Sequence, residues 1–278
     1  MIPAGFAYAR AESVDDAIGL LGEFGDDAKL LAGGHSLLPL MKLRLATPSV
    51  LVDVGGLAGE LSYVRDAGDE IAVGGLTRHH EVETNPVLRA HVPLLAAAAG
   101  EVGDPQVRHR GTLGGSLAHG DPASDLPAVV LALGGTILVR GANGERLIAA
   151  DDFFVEFLET ALAPDEVIIE VRVPKQDGAG WAFEKFNRRA QDWAIVGVAA
   201  VGGTNPGVAL VNMASTPIRA RKVEDALRAG ASPTDAAAFA DQDTDPPADL
   251  NATVEYRRHL ARVLVRRALT TTAERNSV

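Results

Sequence analysis

The chain has 278 residues, enough for two or three small domains with real cores. Its net charge of −11 argues against nucleic acid or an anionic membrane as the main partner. Without a single cysteine it can build no disulfide, no thiolate zinc site and no iron–sulfur cluster of its own. Any electrons it handles must travel on an organic cofactor or on a site with other ligands. There is no run of about 18 apolar residues, so no integral membrane segment is expected. The N-terminus lacks a basic and then apolar leader, which points to a cytoplasmic protein. The 7 histidines form no HExxH pattern, and the adjacent pair His79-His80 reads as a surface turn feature, so no metal site is expected.

Ser13 to Phe24 reads as a helix: Ser13 caps it, Asp15 and Asp16 suit its first turn, and Val14, Ala17, Ile18 and Leu21 make one apolar stripe. Gly25 ends it. Lys29–Ala32 and Val50–Val54 read as strands. Leu61–Arg65 and Ile71–Val73 flank Gly68-Asp69 as a hairpin. Thr77 opens a helical stretch, and Pro93–Gly100 is an alanine-rich buried helix. A helix over Leu126–Leu133, a hairpin of Thr136–Val139 with Arg146–Ile148, and a strand over Val167–Val173 follow. Lys175–Gly180 has the composition of a linker. Beyond it, Trp181–Asn187, Ala194–Val201 and Val208–Met213 read as antiparallel strands. Pro217–Ala229 reads as a helix, Ser232–Pro247 as a weak helix and loop, Asn251–Leu269 as an amphipathic helix, and Thr270–Val278 as a frayed end. In the long C-terminal helix Val254, Leu260, Val263, Leu264 and Leu269 are expected inward.

Two glycine stretches carry the chemistry. In Ala32-Gly33-Gly34-His35-Ser36 a strand meets a tight turn and then a helix start, with Pro39 in the first turns. Glycine allows close backbone approach to a ligand, and amides at a helix start suit a phosphate. The bland alternative is a plain strand-to-helix turn. About eighty residues on, Arg110-Gly111-Thr112-Leu113-Gly114-Gly115-Ser116 runs into His119 and Asp121-Pro122-Ala123-Ser124-Asp125. This stretch reads as too polar and kinked for a regular element. Neither loop fits the GxGxxG fingerprint or a phosphate loop ending in Gly-Lys-Ser/Thr. Together they could clasp one long phosphate-containing ligand.

On these two loops, in this order, the chain resembles the flavoprotein (medium) subunit of molybdenum hydroxylases of the carbon monoxide dehydrogenase and xanthine dehydrogenase type. The likeness extends to Ile2-Pro3, Phe6 and Tyr8, to Asp104–Arg108, to Lys185, Arg188 and Asp192-Trp193-Ala194, and to the tail from Tyr256-Arg257 to Leu269. It implies FAD as cofactor. The implied contacts are Leu30, Leu31, Ala32, Gly33, Gly34, His35, Ser36 and Leu37 from the first loop, and Gly111, Thr112, Gly114, Gly115, Ser116, His119, Ser124 and Asp125 from the second. Val102 and Ile168 would pack against the adenine or flavin, Lys185 would lie near the flavin ring, and Trp193 would cover it. Ser116 departs from the family's more usual asparagine. Each residue keeps a plainer reading: Ser36 and Thr112 as caps, Asp125 as a cap for the Leu126 helix, Lys185 as a solvated strand residue, Trp193 as an edge aromatic, and Arg188–Asp192 as an ion pair shaping the turn.

The implied fold is α+β. A two-subdomain FAD-binding domain of the vanillyl-alcohol-oxidase-like (PCMH) type covers residues 1–176 (subdomains about 1–54 and 55–176). A C-terminal antiparallel-sheet and helix domain covers 177–278. The implied role is electron transfer within a complex with a molybdenum-cofactor large subunit and a [2Fe-2S] small subunit, as a dimer of heterotrimers. No residue cluster offers catalysis on an organic substrate. The rival readings are a stand-alone FAD-dependent oxidase or dehydrogenase and a non-redox nucleotide-binding scaffold.

Overall fold

The computed structural model describes residues 2–276. Three strands, Ala7–Arg10, Ala28–Leu31 and Val50–Asp53, form a parallel sheet with Val50–Asp53 in the middle. Parallel neighbours need crossovers, and the helix Val14–Phe24 supplies one. Its cap and stripe are as expected: Ser13 accepts from the Asp16 N–H, and Val14, Ala17, Ile18 and Leu21 are buried. They pack with Val50, Val52 and Leu57 into a small core.

A five-stranded antiparallel sheet follows, in the order Val64–Asp66, Glu70–Gly74, Val167–Pro174, Thr136–Gly141 and Gly144–Ala149. The first hairpin begins at Val64, because Ala58–Leu61 is a short helix rather than strand. Helices Pro93–Gly100, Leu113–His119 and Asp125–Ala132 pack on this sheet as the largest core.

The third sheet, Trp181–Phe186, Val196–Val201, Gly207–Val211 and Ile218–Arg219, is antiparallel throughout. Every residue of its two central strands is buried, and successive side chains divide between two cores. Ala199, Val201, Ala209 and Val211 join the large core of the preceding sheet. Val198, Ala200, Val208 and Leu210 face the long helix Val254–Arg275. Period-two alternation thus buries one apolar strand on both faces. The Lys175–Gly180 segment is held in place: Gln176 is buried, donates its N–H to His91 O and accepts from the Leu94 N–H.

Two expectations fail in this region, and one buried charge comes in addition. Ile218–Arg219 is an edge strand, and the helix begins only at Arg221. The end is not frayed from Thr270: the helix runs to Arg275 with Thr272 buried, and residues 277–278 lie outside the described set. Arg257 was not expected in a core, yet it is fully buried. Its guanidinium donates to Ile195 O and to Asp249, so the charge is paired where it is desolvated.

Candidate cofactor-binding site

The two glycine loops, distant in sequence, meet in space. A Cβ on Gly33 would stand 2.2 Å from Arg110 O, so the first loop lies directly on the backbone of the second. Gly34 follows with φ +77°, a conformation glycine adopts freely. Leu30 and Ala32 pack half-buried on the small core, Leu31 O accepts from the Val54 N–H, and Leu37 opens the helix Leu37–Lys42. Among the described residues none accepts a hydrogen bond from the backbone N–H of Gly33, Gly34, His35 or Ser36. Four consecutive free donors form a ready seat for an anion.

The second loop departs from expectation. Leu113–His119 is a regular helix, with Thr112 as its N-cap accepting from the Gly115 N–H. The Leu113 and Gly114 N–H groups donate to Thr77 O and Gly75 O, and that of Ser116 to Thr112 O. Gly114 is tight against Gly75, where a Cβ would come within 2.6 Å of the carbonyl oxygen. Its glycine therefore serves chain packing, and the loop's amides are mostly spent internally. What it presents outward is side chains: Ser116 and His119, both half-buried, and Ser124, which makes no capping bond. Burial lowers the His119 pKa, with Asp121 pulling it back up.

Asp125 and Lys185 are brought together. Lys185 Nζ lies 2.7 Å from Asp125 Oδ2 and 2.8 Å from Glu101 O, with both side chains only 4% exposed. Burial pushes the Asp125 carboxyl up to about 6, with the lysine pulling it back down. Its second oxygen, Oδ1, is buried and has no partner. Lys185 is thus no solvated strand residue, and Asp125 is no simple cap. Ile168 is buried in the large core, its carbonyl against Gly75, and Val102 packs half-buried on the same core.

Trp193 sits in the turn after the Lys185 strand and is 68% exposed. Asp192 lies 3.9 Å from Arg188 and 3.8 Å from Arg189. The turn is tied to the second loop through Asn212, which donates its side-chain amide to Ala194 O and its N–H to Pro122 O.

Sequence reasoning missed His79. It is not a surface residue but is 2% exposed, with its ring against Gly111 and its Nε2 3.1 Å from Ser116 Oγ. Burial lowers its pKa to about 4, helped by Arg78, His35 and Arg108. The glycine pair Gly74-Gly75 just upstream was the available signal of close packing here. Around the loops, Arg78 donates to Arg110 O, and the His80 and His109 rings stack at 4.2 Å. A chain of net charge −11 thus concentrates cationic and donor groups where the loops meet. Free amides, nearby guanidinium groups and a buried orphan carboxylate oxygen fit a dinucleotide with a diphosphate and hydroxyl-bearing ribose.

Such a site defines a protein that holds a dinucleotide cofactor. Residues 4–176 match the FAD binding domain in molybdopterin dehydrogenase, and residues 181–272 the CO dehydrogenase flavoprotein C-terminal domain. The chain is 42% identical to a carbon monoxide dehydrogenase medium chain from Hydrogenophaga pseudoflava, over 97% of each. It is 38% identical to the 6-hydroxypseudooxynicotine dehydrogenase complex subunit alpha of Paenarthrobacter nicotinovorans, over 97% of this chain and 95% of that one. Its fold matches a solved carbon monoxide dehydrogenase from H. pseudoflava with a TM-score of 0.95, at 42% identity and 99% coverage of both chains. The chain belongs to the FAD-binding medium subunits of the molybdenum hydroxylases, which are oxidoreductase complexes. No helix among the described residues is long and apolar enough to cross a membrane.

Proposed function

We propose that this chain holds FAD between its two glycine loops and relays electrons from the iron–sulfur clusters of a small subunit to an external acceptor. FAD supplies both one- and two-electron chemistry when bound. The protein's part is to bind, orient and enclose it. The observation that carries the reading is the seat formed where Gly33 lies on Arg110, with four free amides beside it. Ala32–Ser36 would hold the diphosphate from one side and the Ser116 hydroxyl from the other, with Thr112, Gly114 and Gly115 shaping the turn that presents it. Asp125 Oδ1 would accept from a ribose hydroxyl, Lys185 would lie near the flavin, and Trp193 would cover the ring. Val102 and Ile168 would pack alongside. The functional units are residues 1–176, with subdomains about 1–54 and 55–176, and 177–278. The assembly is a cytoplasmic dimer of heterotrimers with a molybdenum-cofactor large subunit and a [2Fe-2S] small subunit.

The test is to purify the chain alone and co-expressed with both partner subunits. Substrate turnover is expected only from the assembly, whose flavin should be reduced when substrate is added. Turnover by the chain alone would sink the relay and promote a stand-alone oxidase. A chain whose assemblies never contain flavin would favour the scaffold.

A further inference from the structure

His79 lies beneath the second loop without being part of it. Its N–H donates to Gly111 O, its ring packs on Gly111, and Nε2 is 3.1 Å from Ser116 Oγ. The other ring nitrogen, Nδ1, is buried and has no partner. A neutral imidazole carries one proton, on one nitrogen or the other. With the proton on Nδ1, an N–H donor would be buried unpaired, and Ser116 would have to spend its own hydrogen on Nε2. With the proton on Nε2, the ring donates to Ser116 Oγ and only a lone pair is left bare at Nδ1. Buried orphan donors are rarer than under-satisfied acceptors. The second arrangement also leaves the serine hydrogen uncommitted, because no other bond of that hydroxyl is made among the described residues.

We propose that His79 is a positioning residue, fixed as the Nε2–H tautomer, that turns the Ser116 hydroxyl into an outward donor to the diphosphate of the cofactor. This rests on the proposed contact of Ser116 with that group. It gives a reason why a serine can stand where an amide is more usual: an amide carries its own donor, whereas a hydroxyl must have its direction set by a neighbour. The burial that keeps the ring neutral supports the same picture.

The test uses the complex of this chain with its partner subunits, stripped of flavin and titrated with FAD. Ser116→Ala should weaken FAD binding about tenfold or more, the weight of a hydrogen bond to a charged group. His79→Leu should weaken it to a similar degree, and the double variant should be no worse than either single. His79→Gln, which keeps an N–H donor near the Nε2 position, should recover most of the loss. Additive losses, an unaffected His79→Leu, or a glutamine variant no better than leucine would overturn the proposal. If Ser116→Ala alone has no effect, the Ser116 contact itself is wrong and the proposal falls with it, while FAD binding by the other groups stands. Should His79→Leu fail to fold, nitrogen NMR of the unaltered chain decides: a proton on Nε2 supports the assignment and one on Nδ1 overturns it.

Discussion

The two glycine loops look alike in sequence but are built in opposite ways. The first, Ala32–Ser36, leaves a row of backbone N–H groups without partners and caps its following helix with no side-chain bond. The second, from Gly111 to Ser116, closes almost all its amides into a capped helix and against Gly75 and Thr77, and so presents side chains instead. One loop offers backbone donors, and the other offers hydroxyl, imidazole and carboxylate groups. A glycine pair therefore does not by itself say that backbone meets ligand. At Gly114 it meets Gly75 of the same chain, and at Gly33 one side of the backbone meets Arg110.

The largest effect should come from the anchor at the end of the second loop. Lys185→Met leaves Asp125 without its partner in a site where both side chains are only 4% exposed. Breaking a buried pair this way costs about 3–5 kcal/mol. Thermal melts should fall steeply, whereas a comparable melt would mean that the pair is not structural. The carboxyl also sets a pH dependence. Its folded pKa of about 6 lies above the ordinary value of 3.8, so the folded state holds the proton more tightly. Its contribution to stability should therefore decline as pH rises from about 4 to about 6. Asp125→Asn should flatten that part of the stability–pH curve, and an unchanged slope would assign it elsewhere.

Next in size is Gly33→Ala. The added methyl would meet a carbonyl oxygen at 2.2 Å, so the loops must part. Overpacking of this kind costs about 1–3 kcal/mol. Both the flavin-free melting temperature and the flavin content should drop, and Gly114→Ala should behave in the same way. Loss of flavin with an unchanged flavin-free melt would show that these glycines are reserved for the cofactor alone.

How legible this was depends on range. The strongest local signals form as read: the Ser13 cap, the apolar stripe of its helix and the strand over Val167–Val173. What could not be read were pairings between distant residues. Lys185 on a strand looks solvated until Asp125, 60 positions away, is placed against it. His79 looks like a turn residue until Gly111 and Ser116 close over it. The second loop reads as irregular because the stretch is polar and rich in glycine and small residues. Thr112 supplies a cap, and the contact with Gly75 tolerates no side chain there.

The finest test sets one hydroxyl of each loop against the other. Thr112 Oγ1 accepts from the Gly115 N–H at 3.1 Å, and the residue is buried. Thr112→Ala should cost about 1 kcal/mol, as the loss of an N-cap does. Ser36 stands at the equivalent place before its helix and makes no capping bond. Ser36→Ala should leave flavin-free stability within about 0.5 kcal/mol of the parent, because no intramolecular bond is lost. Its effect should fall on FAD affinity, where a donor to a charged diphosphate is removed. Melts of the flavin-free protein and FAD titrations of the same two variants separate these terms. If Ser36→Ala destabilises as much as Thr112→Ala while binding FAD normally, the two loops are built alike after all. Ser36 would then be a cap rather than a ligand contact.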